Sequence, residues 1–415
     1  MKDSGVEWIG EIPADWSLPK VKNLFDIGRG RVISQLDLED TGYPVYSSQT
    51  KNNGCLGYVS TYDFDRSQLT WTTDGANAGT VFLREGKHNC TNVCGTLMAK
   101  TENNNLRYMK YALEYIAVFH KRADTNGYKI MNNEMAEIKI TIPPRFVQDI
   151  IVDFLDEKVG EINFVIARTK ETIEDYKKYK QAIITDAVTK GLNPDVEMKE
   201  SQNSYLGMIP RHWIEKRLRF LGMCQNGISK SSEYFGEGYP FVSYGDVYKN
   251  YTLPESGSGL IKSSEEDRNI YSVQYGDIFF TRTSETIEEV GFASTCLKTI
   301  DDATFAGFII RFRPNNQEEL LPEFSKYYFR SDVHRKFFVK EMNLVTRASL
   351  SQELLKRLPV LLPPIEEQRE IEKYLDEKCS EIDKLIAKKE ELLADLERYK
   401  KSLIYEYVTG KKGLI

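Results

Sequence analysis

The sequence predicts an α+β fold built twice: two homologous mixed α/β domains separated by two long helices that form an intramolecular antiparallel coiled coil. Three observations predict it. The opening "WIGEIPADW" (8–16) returns as "YLGMIPRHW" (205–213), with Gly10 and Gly207, Ile12-Pro13 and Ile209-Pro210, and Trp16 and Trp213 at one offset of 197. A longer echo pairs "IPPRFVQDIIVDFLDEKVGEINFVIA" (142–167) with "LPPIEEQREIEKYLDEKCSEIDKLIA" (362–387), and 19 of 48 positions from Pro143 to Lys190 are identical at an offset of 220. Self-similarity at a long period means a duplicated unit. Within both copies of the longer echo and the segments that follow them, apolar residues recur by fours and threes, the seam of a heptad helix.

In chain order, residues 1–144 form the first domain. Alternation in "GTLMAK" and "EIKITI" predicts strands, and residues 106–122 predict a helix. A short helix at "NNEMAEI" precedes Pro143-Pro144, which suit a helix start and not its middle. The first long helix spans 145–190, with seam positions Leu155, Ile162, Ile166, Ile173 and Ile183. A linker, 191–204, carries the stop signals Gly191 and Pro194. The second domain, 205–362, repeats the plan with strands in "GDIFFTR" and "FAGFIIRF", a helix over 323–340 and a short helix at "SQELLKRL". The second long helix and tail, 363–415, place Leu375, Ile382, Ile386, Leu393 and Leu403 on the matching seam. Two matched seams in one chain favour pairing with each other over pairing between chains. The tryptophans of the opening motifs are expected to pack against the base of each domain.

The balance is that of an ordinary soluble protein, 41% hydrophobic and 28% charged. No apolar run reaches the roughly 18 residues a membrane helix needs, and "MKDSGVEW" is no signal peptide, so a cytoplasmic location is expected. Six scattered cysteines fit a reducing compartment. Cys55, His88, Cys90 and Cys94 lack a CxxC pair, so buried thiols are expected and no metal site. The net charge is −6, and neither domain is basic: 16 Lys+Arg against 17 Asp+Glu in 1–144, and 20 against 21 in 200–362. A free-standing nucleic-acid binder would carry a basic excess. Any DNA contact must therefore come from local faces or be shared with a partner.

Catalytic motifs are missing. The "IPP" and "LPP" turns lack the Asn/Asp and the aromatic of an amino-methyltransferase loop. "GRGRVI" lacks the third glycine of a dinucleotide loop, "GKKGLI" is no P-loop, and neither HExxH nor GxSxG occurs. What remains is a set of polar loops at matched places in both copies, rich in side chains that read base edges and phosphates. In the first domain the candidates are Tyr46, Ser47, Ser48, Gln49, Lys51, Asn52, Thr73, Asn77, Asn126 and Lys129. In the second they are Ser243, Tyr244, Lys249, Arg282, Thr283, Ser284, Arg347 and Ser349. No catalytic residue and no metal ligand is assigned.

The chain resembles the specificity subunit of type I restriction–modification enzymes over nearly its full length. The resemblance rests on the paired opening motifs, on "GYPFVSYGDVY", "GDIFFTRTSETIEEVGFAS" and "GTLMAK", and above all on the repeated Pro-Pro helices. It implies a non-catalytic subunit whose two target-recognition domains each read half of a bipartite double-stranded DNA site. The helices would space those domains and dock two methyltransferase subunits, through which motor-nuclease (restriction) subunits join in defence against foreign DNA. This chain would bind no cofactor; S-adenosylmethionine, ATP and Mg are implied for the partners, and no membrane is involved. The alternatives are a coiled-coil adaptor that binds protein without DNA specificity, or a single-chain restriction or modification enzyme.

Overall fold

The computed structural model describes residues 1–125, 127–284, 290–341 and 348–413. The chain divides into two compact units, Met1–Lys170 with Glu390–Ile415, and Glu171–Lys389. Both boundaries fall inside the long helices, so each unit holds one domain, the start of one long helix and the end of the other.

The first unit is built on an antiparallel sheet in the order Phe25–Arg29, Cys94–Ala99, Gln68–Thr72, Val81–Arg84. Its inner strand Gln68–Thr72 is buried at every residue. A second sheet, ordered Cys55–Val59, Tyr43–Tyr46, Lys87–Cys90, Phe64–Asp65, contains one parallel pair. The helix Leu106–Ala117 is capped by Asn105, whose side chain accepts from the amides of Arg107 and Tyr108. It stops short of residue 122 because Arg122–Asp124 is taken into a strand pair with Gly127–Lys129.

The second unit repeats the topology. Gly222–Asn226, Ile309–Pro314, Ile278–Thr281 and Ala293–Thr295 follow the same antiparallel order. The parallel pair recurs as Phe235–Val242 with Thr304–Phe305. One copy differs at its base. Pro359–Leu362 pairs regularly with Ile214–Arg217, whereas "EIKITI" makes only isolated bridges, Ser17 with Ile142 and Lys20 with Lys139. Pro19 lies between those rungs and has no N–H to donate, so the ladder is interrupted.

The helix expected over 323–340 is two helices, Pro322–Tyr328 and Asp332–Glu341. At the break, the Ser331 hydroxyl donates to the Tyr328 carbonyl at 2.7 Å, and the Arg330 side chain leaves the helix line. His334, just beyond, is fully buried against Tyr328 and Phe329. Burial pulls its pKa down to about 3, helped by the Arg335 charge. The unfolded value is near 6.5, so this imidazole must be neutral in the fold. Its contribution is full above pH 6.5 and is lost as pH falls from there toward 3, by about 2 kcal/mol between pH 7 and pH 5. His334→Gln should remove that part of the slope in denaturant titrations at the two pH values. A variant with the wild-type slope would refute the assignment.

The long helices span Arg145–Lys190 and Ile365–Val408, about 69 and 66 Å at 1.5 Å per residue. Each starts in the same way: Gln148 Nε2 donates to the Pro143 carbonyl and Gln368 Nε2 to the Pro363 carbonyl, both at 2.9 Å. Each stops at a glycine with positive φ, Gly191 (+77°) and Gly410 (+69°), the usual left-handed helix end. In the first unit Phe154 meets Tyr407, ring centroids 4.6 Å apart, and Lys400 reaches Asn163 at 3.1 Å. The helices therefore run antiparallel. In the second unit Lys180 pairs with Asp383, and Tyr374 lines a groove with Ile183 and Ala187, again antiparallel.

Leu155, Ile162, Ile166 and Leu403 are buried in the first unit, and Leu393 is half-buried. In the second, Ile173, Leu375 and Ile382 are buried, while Ile183 and Ile386 are half-buried. Ile184 takes the fully buried place beside Ile183, as expected when a helix of 3.6 residues per turn drifts against a 3.5-residue repeat. Trp16 and Trp213 are both buried. A Cβ on Gly191 would lie 3.3 Å from the Trp213 ring, and one on Gly410 would lie 3.2 Å from Trp16. Each opening motif thus seats on a long-helix terminus. No described helix is long and apolar enough to cross a membrane.

Candidate nucleic-acid interface

In the first unit three polar segments, far apart in sequence, converge. The Thr73 amide donates to Ser48 Oγ at 3.1 Å and Asn77 Nδ2 to Thr50 Oγ1 at 3.2 Å, joining segment 44–54 to segment 70–79, each of which begins in a strand and not in a loop. Asp74–Gly75 then pairs with Gly127–Lys129, bringing in the third segment. Many of the polar groups serve this assembly. The Ser48 hydroxyl donates to the Val93 carbonyl, as does the buried Thr73 hydroxyl at 2.8 Å. Gln49 Nε2 donates to the Cys55 carbonyl, Thr91 Oγ1 to Ser47 Oγ, and Lys129 pairs with Asp124 at 2.9 Å. The Tyr46 ring carries the Arg84 guanidinium 3.6 Å from its centroid. Burial raises the phenol's pKa and lowers that of the guanidinium. Lys51, Asn52 and Asn77 are the exposed candidates. Asn126 lies outside the described residues.

In the second unit Thr283–Ser284 pairs with Ala348–Ser349, Thr283 opposite Ser349. This is the counterpart of Asp74–Gly75 with Gly127–Lys129. Ser243 caps the helix Tyr244–Lys249 in a reciprocal box with Asp246, and Asp246 also accepts from Ser258. Tyr244 stacks on Tyr248, whose ring meets the edge of Phe292 at 5.2 Å. Arg282 is half-exposed and holds its strand through backbone bonds to Phe308 and Leu350. Lys249 is exposed. Arg347 lies outside the described residues.

Sequence reasoning missed the residues that hold these loops from beneath. Arg84 donates to the Asn53 carbonyl at 2.6 Å and to Thr70 Oγ1 at 3.0 Å. Arg330 donates to the carbonyls of Ala293, Val247, Tyr248 and Asn250. No motif marks such an arginine. It also passed over the exposed aromatics Tyr128 and Phe308, which sit next to candidate loop residues. Among the described residues, no group of three or more His, Cys, Asp or Glu could hold a metal ion, and all six cysteines are free.

The family model for the type I restriction modification DNA specificity domain matches residues 13–175 and 213–397. The chain is 40% identical over 139 residues to a Mycoplasma pneumoniae protein named as the N-terminus of a candidate type I specificity subunit, covering 33% of this chain and 74% of that one. It is 26% identical over 282 residues to the specificity subunit of the type I restriction enzyme EcoKI of Escherichia coli K12, covering 66% of this chain and 58% of the other. A solved chain from a study of complex assembly and conformational transition of the type I R-M system superposes with a TM-score of 0.68 at 16% identity, over 97% of this chain and 100% of that chain. At that identity the likeness shows the fold alone.

Proposed function

This chain belongs to the type I restriction–modification DNA specificity family, and we propose on that premise that it supplies sequence recognition without catalysis. Each domain reads one half of a bipartite DNA site. The long helices carry the docking surfaces for methyltransferase subunits, which bring S-adenosylmethionine and the chemistry; restriction subunits, with ATP and Mg, join through them. The adenine to be modified is flipped into the partner's pocket and not into this chain.

The observation that carries this reading is one topology built twice with different loops: the helices repeat closely, while "TWTTDGANAG" and "TRTSETIEEVG" share little. Two unlike half-sites require that pattern. The near-neutral charge fits as well, because methyltransferase subunits would share the phosphate contacts.

The test is reconstitution. The chain alone should bind DNA weakly and transfer no methyl group; with its methyltransferase subunits it should direct adenine methylation to one bipartite motif. In that complex Lys51→Ala should weaken recognition of one half and Arg282→Ala of the other, by about 1–3 kcal/mol for each lost bidentate base contact. Methyl transfer by the isolated polypeptide would overturn the proposal, and so would equal loss of both halves from either substitution.

A further inference from the structure

The turn Lys51–Gly54 is wound left-handed. Asn52 (φ 48°, ψ 41°) and Asn53 (φ 53°, ψ 33°) are followed by Gly54 at φ +79°. Among the described residues, Asp302 is the other non-glycine with positive φ. Asparagine tolerates this region better than most L-residues, yet two in succession persist only where the surroundings over-determine them.

Here the surroundings do so. Arg84 is 1% exposed and lies between the rings of Tyr46 (3.6 Å) and Phe82 (4.3 Å). Its Nη1 donates to the Asn53 carbonyl at 2.6 Å, and its Nη2 lies 2.7 Å from where a Gly54 Cβ would be. The turn is closed from the side by the Ser47 amide, which donates to the Gly54 carbonyl at 3.0 Å. Among the described residues no carboxylate pairs with this guanidinium, and Nη2 finds no acceptor. A buried cation with no carboxylate partner is costly, and what it holds in place is the turn. The consequence is that the side chains of Asn52 and Asn53 are exposed. Each offers a donor and an acceptor side by side, the pattern that matches N6 and N7 of adenine in the major groove.

We infer that Asn52 and Asn53 read an adenine in the half-site of the first domain, and that Arg84 is the positioning residue that holds their turn. This rests on the DNA-specificity reading above. The experiment uses the full chain with its methyltransferase subunits and compares wild type, the double variant Asn52→Gly/Asn53→Gly, Arg84→Lys, and the three changes combined. Glycine accepts positive φ, so the double variant keeps its backbone and loses only the amides. It should melt as wild type does, yet discriminate about 10- to 100-fold less at an adenine of one half-site, with the other half unchanged. Arg84→Lys should damage the same half, and in combination it should add little, since both changes act on one contact.

A double variant with an unchanged motif overturns the base-reading role. Uniform weakening over all sequences, with the salt slope unchanged because no charge is removed, marks a phosphate contact and overturns it equally. Additive losses overturn the positioning role of Arg84. A wild-type complex that methylates no bipartite motif overturns the DNA-specificity reading, and this inference with it.

Discussion

Replacing Arg330 with methionine is expected to destabilise the second unit by about 3–5 kcal/mol, because it strands several buried carbonyls that each cost about 1–3 kcal/mol when unpaired. The Arg330 guanidinium reaches Ala293 on one strand and Val247, Tyr248 and Asn250 at the end of a helix, at 2.5 to 2.9 Å. It also sits over the rings of Tyr251 and Phe292. Desolvation pulls its pKa down to about 10, opposed by Tyr251 and Tyr248, so the group stays charged at neutral pH. Methionine fills the aliphatic volume but donates nothing. Gln181 of the first long helix donates to the Arg330 carbonyl at 2.8 Å, so the same residue ties loop, sheet and helix. Denaturant unfolding of the full chain should show the later-numbered unit melting early and the other unchanged. In the methyltransferase complex, recognition of one half-site should fail before the other. A loss below about 1 kcal/mol, the size of an ordinary surface change, would mean that the carbonyls find other donors.

The difference between Arg330 and the opening motifs explains what the sequence could tell. Helix starts at Pro-Pro, the helix end at Gly191 and the burial of Trp16 and Trp213 rest on local patterns, each with its own residue signature, and duplication shows as two copies of the opening and Pro-Pro patterns. Buried arginines carry none, because Arg84 and Arg330 serve carbonyls 31 and up to 83 residues away. The candidate segments were legible as polar, but they are not all loops: Tyr46 ends a strand, and Tyr244 and Lys249 lie in a helix; nor was side-chain destination legible. Ser48, Thr73 and Ser243 are polar because backbone and helix ends need partners, and only three-dimensional placement separates them from Lys51 or Asn52. The Asn-Asn-Gly run is a usable sign of a left-handed turn, beyond the polarity that marks it as a candidate. Nor does periodicity reveal which domain a helix end completes, since a heptad seam looks the same wherever it packs.

That last point has a large consequence. Ending the chain after Tyr399 should unfold the first unit while leaving the second folded, although every residue of the first domain is retained. Leu403, Ile404, Tyr407 and Val408 are buried in the core that also contains Phe25, Leu69, Tyr108 and Leu155. At about 1.5–3 kcal/mol for each buried side chain, their loss removes about 6–12 kcal/mol, against about 5–15 for a whole domain. The Val408 carbonyl also accepts from the buried Thr141 hydroxyl, which loses that acceptor, while the Tyr108 hydroxyl is left with the Thr141 carbonyl at 3.1 Å. The second unit draws on Ile371, Leu375 and Cys379 instead, which the truncation keeps. Hydrogen exchange should show Phe25–Arg29, Gln68–Thr72 and Cys94–Ala99 unprotected, with Gly222–Asn226, Ile278–Thr281 and Ile309–Pro314 still slow. A cut after Gly410 removes none of these core residues and should leave both sets protected. If the longer truncation also kept both, the first domain would be complete without the second helix, and the two units would follow sequence order after all.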